Sequence, residues 1–441
     1  MKNRHNYTAL LFLIFGLYLH AQDQVLSKEE AIDMVLENNL SIQVAKNTKL
    51  IGDNNANILN SGYLPTVTAN AGGSIDKQNS EGVLANGDTR TAEGAETRRY
   101  NASVNVNYIL FDGLGRHYNY KSFQERSQQT ELQVRQTIEN TILQLFSVYY
   151  EVARLTENTH TLEQAMEISK DRLKRAQYQF EFGQNTGLDV LNAEVDINTD
   201  SINLLNSRQL LRNTMRDLNL ILNRDLTEVF VADTTVNFVP GLQMESMYNE
   251  AKMNNVRLQI VEKDINISDN NIKVARSGFL PTIGLTGTYG WNESNNNSPL
   301  AFTLQNTSTG VTGSINLSWN LFDGGSTITG IKNAKINYAN QELAKKQIEL
   351  EVERDIRNAW DSYSNALYVL EVQEKNLQTN QNNFNRTDER YKLGRVTSIE
   401  FRQAQLNLLN AELAKSQAKY NAKLAELFML QVSGQLLNVE F

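Results

Sequence analysis

Residues 61–66 read Ser-Gly-Tyr-Leu-Pro-Thr, and residues 277–282 read Ser-Gly-Phe-Leu-Pro-Thr. The two hexapeptides are 216 positions apart, and the same offset aligns residues 26–67 with residues 242–283, with 14 identities in 42 and no gap. Proline disfavours helix at the residue before it, so the chain should turn from helix into strand at both hexapeptides. The chain is therefore a tandem duplication, and each copy passes through the same helix-to-strand junction.

A second shared motif extends the duplication farther along each copy. Leu-Phe-Asp-Gly at 110–113 recurs at 321–324, at an offset of 211. A period of about 200 residues is too long for a solenoid repeat. We predict a first repeat over 22–223, a linker over 224–241 and a second repeat over 242–441.

The N-terminal residues have the layout of a secretory signal peptide. Lys2 and Arg4 precede an apolar run at 9–19, and Ala21 follows it. We therefore expect residues 1–21 to direct export. No other stretch approaches the roughly 20 apolar residues of a membrane-spanning helix, so any membrane insertion should use β-strands.

The composition excludes several classes of protein. The chain has no cysteine and only four histidines, which argues against a disulfide framework, a thiolate or histidine metal site and a cysteine nucleophile. Its net charge of −8 lacks the basic excess of a nucleic-acid-binding protein. No constellation for catalysis or for a cofactor is found, so we expect a protein that is not an enzyme.

Four segments alternate between apolar and polar residues, which predicts β-strands. One face is apolar and the other carries mainly Asn, Ser, Thr and Gly, the pattern of a transmembrane β-barrel. A soluble antiparallel sheet with one buried face is the alternative. The polar stretches 77–99 and 292–309 between paired strands are predicted to be surface loops. The predicted strands are 64–76, 100–111, 281–292 and 310–322.

Four strands cannot close a barrel, and unpaired strand edges are costly in lipid. Closure therefore needs strands from other copies of the chain. Three chains would supply twelve strands, which is within the range of known barrels and wide enough for an aqueous lumen.

Two long helical hairpins are predicted after the strand pairs. Residues 113–222 and 325–434 lack proline entirely, and the first helix of each hairpin would reach roughly 100 Å at 1.5 Å per residue. Leucines at 204, 211 and 218 recur at the spacing of a coiled-coil seam, and so do Leu406, Leu413, Tyr420 and Leu427. We interpret them as packing residues.

The strand pairs, the Phe-Asp-Gly turns into long helices, the hairpin turns at Gly183 and Gly394 and the duplication together resemble the TolC-like outer-membrane efflux family. The resemblance implies an α+β membrane protein that forms a homotrimer. Its twelve-stranded barrel, four strands per chain, would lie in outer-membrane lipid, and an α-helical coiled-coil barrel would cross the periplasm. It also implies a passive exit duct that works with a periplasmic adaptor and an inner-membrane transporter in efflux or type I secretion. The alternative function is a periplasmic or surface coiled-coil protein with a structural or adhesive role.

The resemblance also implies functional residues near the hairpin turns. Asp189, Tyr391 and Glu400 match the positions of a periplasmic gate, with Tyr391 paired to Asp189. Residues 396 and 403 depart from the family pattern, since they are Val and Gln where an arginine and a second acid are expected. The alternative for both acids is an ordinary role at a helix N-terminus. The turn residues expected to dock the adaptor are Gly183, Gly187, Gly394 and Arg395.

Overall fold

Long helices dominate the computed structural model, which describes residues 25–298 and 300–439. The predicted signal peptide at 1–21 lies outside these residues. Among the described residues, no helix has a stretch long and apolar enough to cross a membrane. The described residues form eight α-helices, which are α1 Lys28–Asn38, α2 Leu40–Asn55, α3 Gly115–Glu181, α4 Gly187–Leu222, α5 Met244–Asn254, α6 Val256–Ser277, α7 Ser326–Lys392 and α8 Ser398–Val432.

The coiled-coil seam predicted from the leucine spacing is confirmed at several positions. Leu204 and Leu218 of α4 are buried, as are Tyr420 and Leu427 of α8. These residues recur at multiples of seven, so they lie along one face of each helix.

Six strands lie within the described residues. They are β1 Val25–Leu26, β2 Thr66–Val83, β3 Thr89–Phe111, β4 Val231–Ala232, β5 Thr282–Asn296 and β6 Gln305–Ser318. The four long strands form one antiparallel sheet in the order β2-β3-β5-β6. The two short strands, β1 and β4, form a separate parallel pair.

The register of the sheet places the apolar residues of all four strands on one face. Val106 is opposite Val67 on β2 and opposite Gly287 on β5. Leu285 is likewise opposite Ile315 on β6. Directly opposed residues of antiparallel strands point to the same face. The alternation read from single strands is therefore matched across the whole sheet, and Val67, Val104, Leu285, Val311 and Ile315 are exposed in the isolated chain.

The β2–β3 hairpin is longer than the sequence indicated. Residues 77–99 were predicted to form a loop, but β2 and β3 together occupy 77–83 and 89–99, and only 84–88 form the turn. Backbone pairing continues past Lys77, which is opposite Glu96, and Asp76 forms an ion pair with Arg99. Both faces of this extension are polar, so it lacks the alternation that revealed the rest of the strands.

The other two strands also differ at their ends from the prediction. β5 continues to Asn296 instead of residue 292, and β6 spans 305–318 instead of 310–322. The loop predicted at 292–309 is therefore shorter, at 297–304. Backbone pairing, such as Glu293 opposite Thr307, continues through this polar sequence.

The described chain divides into two compact units, and each takes segments from both halves of the sequence. The helical unit comprises 25–47, 132–259 and 346–439. The sheet unit comprises 48–131 and 260–345. Each unit therefore contains part of both predicted repeats, and α3 and α7 each have residues in both units.

Asparagines at equivalent places in the two halves make the same contacts within the helical unit. Asn39 follows α1, its side chain caps α2 by accepting from the Ile42 amide, and it donates to the carbonyl of Ile221 at 2.9 Å. Asn255 follows α5, caps α6 and donates to the carbonyl of Val432 at 2.8 Å. Each asparagine thus joins a short helix pair to the last turn of a returning helix, satisfying a carbonyl that the helix leaves free.

The predicted linker at 224–241 belongs to the helical unit and packs against its helices. The Tyr149 hydroxyl donates to the carbonyl of Leu26 at 2.6 Å and accepts from the Asp233 amide at 2.9 Å. Burial raises the pKa of Tyr149 to about 12. The buried Glu426 carboxylate accepts from the Val239 amide at 2.6 Å, so the linker is held at its middle and near its C-terminal end.

Candidate functional site

The ends of the two helical hairpins have the same backbone design. Gly183 has φ +71° and Gly394 has φ +69°, which side chains with a Cβ adopt at a cost. The Gln184 amide donates to the Gln179 carbonyl at 2.7 Å, and the Arg395 amide donates to the Arg390 carbonyl at 2.8 Å. These bonds close the last turns of α3 and α7 in the same glycine-dependent way.

Asp189 and Glu400 occupy the same position in the first turns of α4 and α8. The Asp189 carboxylate accepts from the Thr186 amide at 3.2 Å and from its hydroxyl at 2.9 Å. Glu400 accepts from the Thr397 amide at 2.7 Å and from its hydroxyl at 2.9 Å. The Thr397 amide lowers the pKa of Glu400, which therefore stays ionised below the ordinary glutamate range. Locally, both acids cap a helix.

Tyr391 packs into the second hairpin close to the turn. Its ring is stacked on Phe401, with the centroids 4.5 Å apart. Phe384 approaches Phe401 at 5.7 Å, and the Arg175 guanidinium lies 5.4 Å from the Tyr391 ring centre. A buried Tyr391 therefore joins α7, α8 and α3 by its ring.

The predicted pair of Tyr391 and Asp189 is not formed within the described chain, where no hydrogen bond joins them. Arg172 lies near both residues. It lines one cavity of about 220 Å³ together with Tyr391, and a second of about 280 Å³ together with Asp189. The gate roles of Tyr391 and Asp189 remain predictions. Within one chain, no direct hydrogen bond between the two side chains supports them.

A buried network of charges lies beside these cavities. The Arg402 guanidinium of α8 donates to both oxygens of Asp200 of α4, at 2.7 and 2.8 Å. Ser169 of α3 donates to Asp200 at 2.6 Å, and Gln405 donates to the Ser169 hydroxyl at 3.1 Å. Arg402 is 8% exposed and Asp200 only 3%. The network thus joins the first hairpin to the returning helix of the second.

A second ion pair extends this network toward α3. Asp196, one turn before Asp200, lies 3.4 Å from Arg402 and also forms an ion pair with Arg172. The Nε atoms of Arg172 and Arg402 are buried and lack a hydrogen-bond acceptor in the described chain. Two arginines and two aspartates therefore neutralise each other, and all of them except the partly exposed Asp196 are shielded from water.

These four charged residues were missed in the sequence, although a signal was present for Asp200 and Arg402. Asp200 lies four residues before Leu204, and Arg402 lies four residues before Leu406. Each charge is thus on the same face as its leucine seam. A charged residue at a seam position of two helices indicates a buried ion pair.

A model of the family described as outer membrane efflux protein matches residues 31–224 and 247–435. The chain belongs to the outer membrane efflux protein family. The model matches the chain twice, once in each half. As a member of this family, the chain is a channel protein of the outer membrane that functions in transport.

Curated relatives of the family are distant but cover most of the chain. The outer membrane efflux protein BepC of Brucella suis is 22% identical over 415 residues, 92% of this chain and 85% of the relative. The outer membrane protein TolC of Vibrio cholerae is 22% identical over 316 residues, 71% of this chain and 72% of the relative.

Solved structures show the same fold at still lower identity. The outer membrane channel CmeC of Campylobacter jejuni has a TM-score of 0.77 at 17% identity, over 93% of this chain and 86% of that one. The open state of the MtrE channel of Neisseria gonorrhoeae has a TM-score of 0.66 at 19% identity, over 93% of this chain and 89% of that one. The efflux-channel fold is therefore retained although most residues differ.

Proposed function

We propose that three copies of this chain form the outer-membrane exit duct of a tripartite efflux or type I secretion system. The duct passively conducts substrates that an inner-membrane transporter and a periplasmic adaptor deliver. The twelve strands form a barrel in outer-membrane lipid, and the helical hairpins form a coiled-coil barrel in the periplasm. Each chain contributes two structural repeats, 22–223 and 242–441, to this assembly.

The observation that carries the proposal is the four-stranded sheet. Its apolar side chains share one exposed face, and its outer strands β2 and β6 each have a single neighbour in the described chain. An apolar face suits lipid, but each unpaired backbone group costs several kcal/mol there. Copies of the same sheet, joined edge to edge, satisfy both requirements. A coiled-coil structural or adhesive protein would have no use for such a face.

We propose that the periplasmic constriction lies beside the hairpin ends, with Asp189, Tyr391 and Glu400 as gate residues. The two acids are at the first turns of α4 and α8, and Tyr391 is at the last turn of α7. Glu400 stays ionised over a wide pH range, which favours cations in a narrow pore.

The duct itself is tested by extraction and reconstitution. Protein extracted from outer membranes in detergent should have the mass of a trimer and should conduct ions in planar bilayers. Extraction without detergent serves as the control, since a membrane protein should stay with the membrane fraction. A monodisperse monomer that still conducts would contradict the trimer, and soluble periplasmic protein would contradict the duct.

The turns that contain Gly183, Gly187, Gly394 and Arg395 are proposed to dock the adaptor. Gly183→Val and Gly394→Val should each abolish export in cells while the trimer persists. Positive φ costs a residue with a Cβ about 1–2 kcal/mol, so the turn should change shape, although a Cβ has open space at both positions.

Gly87→Val is the matched control, because Gly87 has φ +89° in the β2–β3 turn and also has open space. The same local strain at that turn should leave export intact. Antibiotic susceptibility and secretion assays measure the outcome. Normal export by the Gly183 and Gly394 variants would remove the docking assignment.

A further inference from the structure

A large groove lies on the helical unit, and we name it the α1 groove. Residues of α1, of α3 and of the segment after α8 line it, and its volume is about 740 Å³. That is more than twice the volume of either cavity beside Arg172, and it is within the range of about 300–1,000 Å³ that is usual for small-molecule sites. From Ile142, which lines the groove, α3 continues for 39 residues to its end at Glu181, so the groove is roughly 60 Å from the hairpin turn.

Six of the eight lining residues are apolar, and they lie at the edge of the main hydrophobic core. Ile142 belongs to this core and is only 2% exposed. The apolar lining residues that keep exposed surface are Ile32, Leu36, Ile138, Leu437 and Val439. Covering exposed apolar surface is favourable in water. The α1 groove therefore offers an apolar wall to a ligand.

Contacts outside the groove hold each of its walls in place. α1 begins at the buried Lys28, which forms an ion pair with Asp233 at 3.5 Å. It is followed by Asn39, whose side chain donates to the last turn of α4. On the other wall, Arg135 of α3 donates to the Gly434 carbonyl at 3.1 Å, which fixes the segment after α8. The groove is therefore formed before any ligand binds, and little affinity is lost in ordering it.

The two remaining lining residues are acidic. Glu29 and Asp33 are four residues apart on α1, so they project from the same face of the helix. Both are exposed, and neither carboxylate has a hydrogen bond or an ion pair within the described part of the chain. The one basic residue of α1, Lys28, is already paired with Asp233. Two like charges on adjacent turns favour the approach of a cation.

We propose that the α1 groove binds a small amphipathic cation, a molecule that joins an aromatic or hydrocarbon body to a protonated amine. The body covers the apolar wall at Leu36, Ile138 and Ile142, and the ammonium group lies beside Glu29 and Asp33. A neutral apolar molecule leaves both carboxylates unpaired, and an anion is repelled by them. An inorganic cation leaves the apolar wall exposed. Only a ligand with both features matches the whole groove.

The apolar wall and the two acids contribute differently to binding. The wall supplies most of the affinity, because burial of apolar surface is the main favourable term in association. Glu29 and Asp33 are exposed, so a cation pairs with them without losing all of its water, and each pair contributes modestly. The acids therefore set the choice of a cation over a neutral molecule of the same shape. This choice should weaken as salt screens the charges.

Equilibrium dialysis with 1-naphthylmethylamine tests the site, and 1-naphthylmethanol is the neutral molecule of nearly the same shape. The full-length protein is held in lipid nanodiscs, so that no detergent molecule competes for the groove. Empty nanodiscs measure uptake of each probe by lipid. After this correction, the amine should bind about fivefold tighter than the alcohol or more. The difference should shrink when the salt concentration is raised to about 1 M.

Glu29→Gln with Asp33→Asn should remove the preference for the amine and leave binding of the alcohol unchanged. Glu30→Gln with Glu37→Gln is the matched control, because it removes two acids from the same helix that do not line the groove. This control should bind both probes as the parent does. As a second measurement, Leu437→Lys should weaken binding of the amine on the order of tenfold. Leu437 lines the groove and is 40% exposed, so the fold should tolerate the change.

Each outcome supports or overturns the site, and none bears on the duct. A preference for the amine that is lost only with Glu29 and Asp33 establishes the site. Equal binding of the two probes, or an equal loss in the control, would overturn it. Binding only by a variant that ends at Val439 would make the last two residues the occupant of the groove, and binding only by dissociated chains would make it a second copy. Either result would also overturn the proposal.

Discussion

Arg402→Met should lower the free energy of unfolding of the helical unit by about 3–5 kcal/mol, the usual cost of removing one partner from a buried ion pair. Asp200 is 3% exposed and receives two hydrogen bonds from Arg402, so it would remain buried with only the Ser169 hydroxyl as a partner. Denaturant titration followed by the helical circular dichroism signal measures this change. It is the largest effect that we expect from one substitution.

Arg208→Met is the control, because Arg208 of α4 also forms an ion pair with another helix, through Glu163 of α3, but both side chains are about half exposed. Exposed pairs contribute about 0–1 kcal/mol. Adding Asp200→Leu to Arg402→Met should restore most of the lost stability, since it removes the unpaired charge. Equal effects of Arg402→Met and Arg208→Met would show that the network is not buried in the working assembly.

Glu400→Gln should reduce the preference of the channel for cations over anions, on the order of tenfold. Three copies of Glu400 around one axis would raise the local cation concentration by about this factor or more. Glutamine also fits the capping position that Glu400 occupies beside Thr397, so the helix start should persist. Reversal potentials in a salt gradient measure the preference.

Glu389→Gln is the control, because Glu389 is an exposed acid in the last turns of α7 and carries the same charge. The wild-type preference should also persist as the pH falls to the ordinary glutamate pKa of about 4.3, where an unperturbed glutamate is half protonated, because the Thr397 amide lowers the pKa of Glu400. Unchanged selectivity in Glu400→Gln would leave Glu400 as a helix cap alone and place the gate elsewhere.

The sequence was most informative where local rules act. Proline after Leu64 and Leu280 marked the junctions into strands, and glycines 183 and 394 marked the hairpin turns. Alternation revealed strands only where one face is apolar. The polar continuation of β2 and β3, at 77–83 and 89–99, was missed. Backbone pairing holds this segment, and its sequence does not alternate between apolar and polar residues.

The candidate site was harder to predict, because its contacts join residues far apart in the chain. Asp200 and Arg402 are 202 residues apart and come together only when α8 packs on the first hairpin. The hydrogen bond expected between Tyr391 and Asp189 is the opposite case, in which two residues at similar places in the fold make separate contacts. Both residues are near the hairpin ends, but Tyr391 stacks on Phe401 and Asp189 caps its own helix.

By itself, the sequence determined the duplication, the order of helices and strands and the apolar face of each strand, because these depend on local conformation and on period along one element. Only the tertiary structure decided which faces are covered. Ser416 of α8 and Leu205 of α4 occupy equivalent positions in the two returning helices, yet Ser416 is buried and Leu205 is exposed. Whether a helix face is buried depends on which helices pack against it, and two equivalent helices of one chain pack against different neighbours.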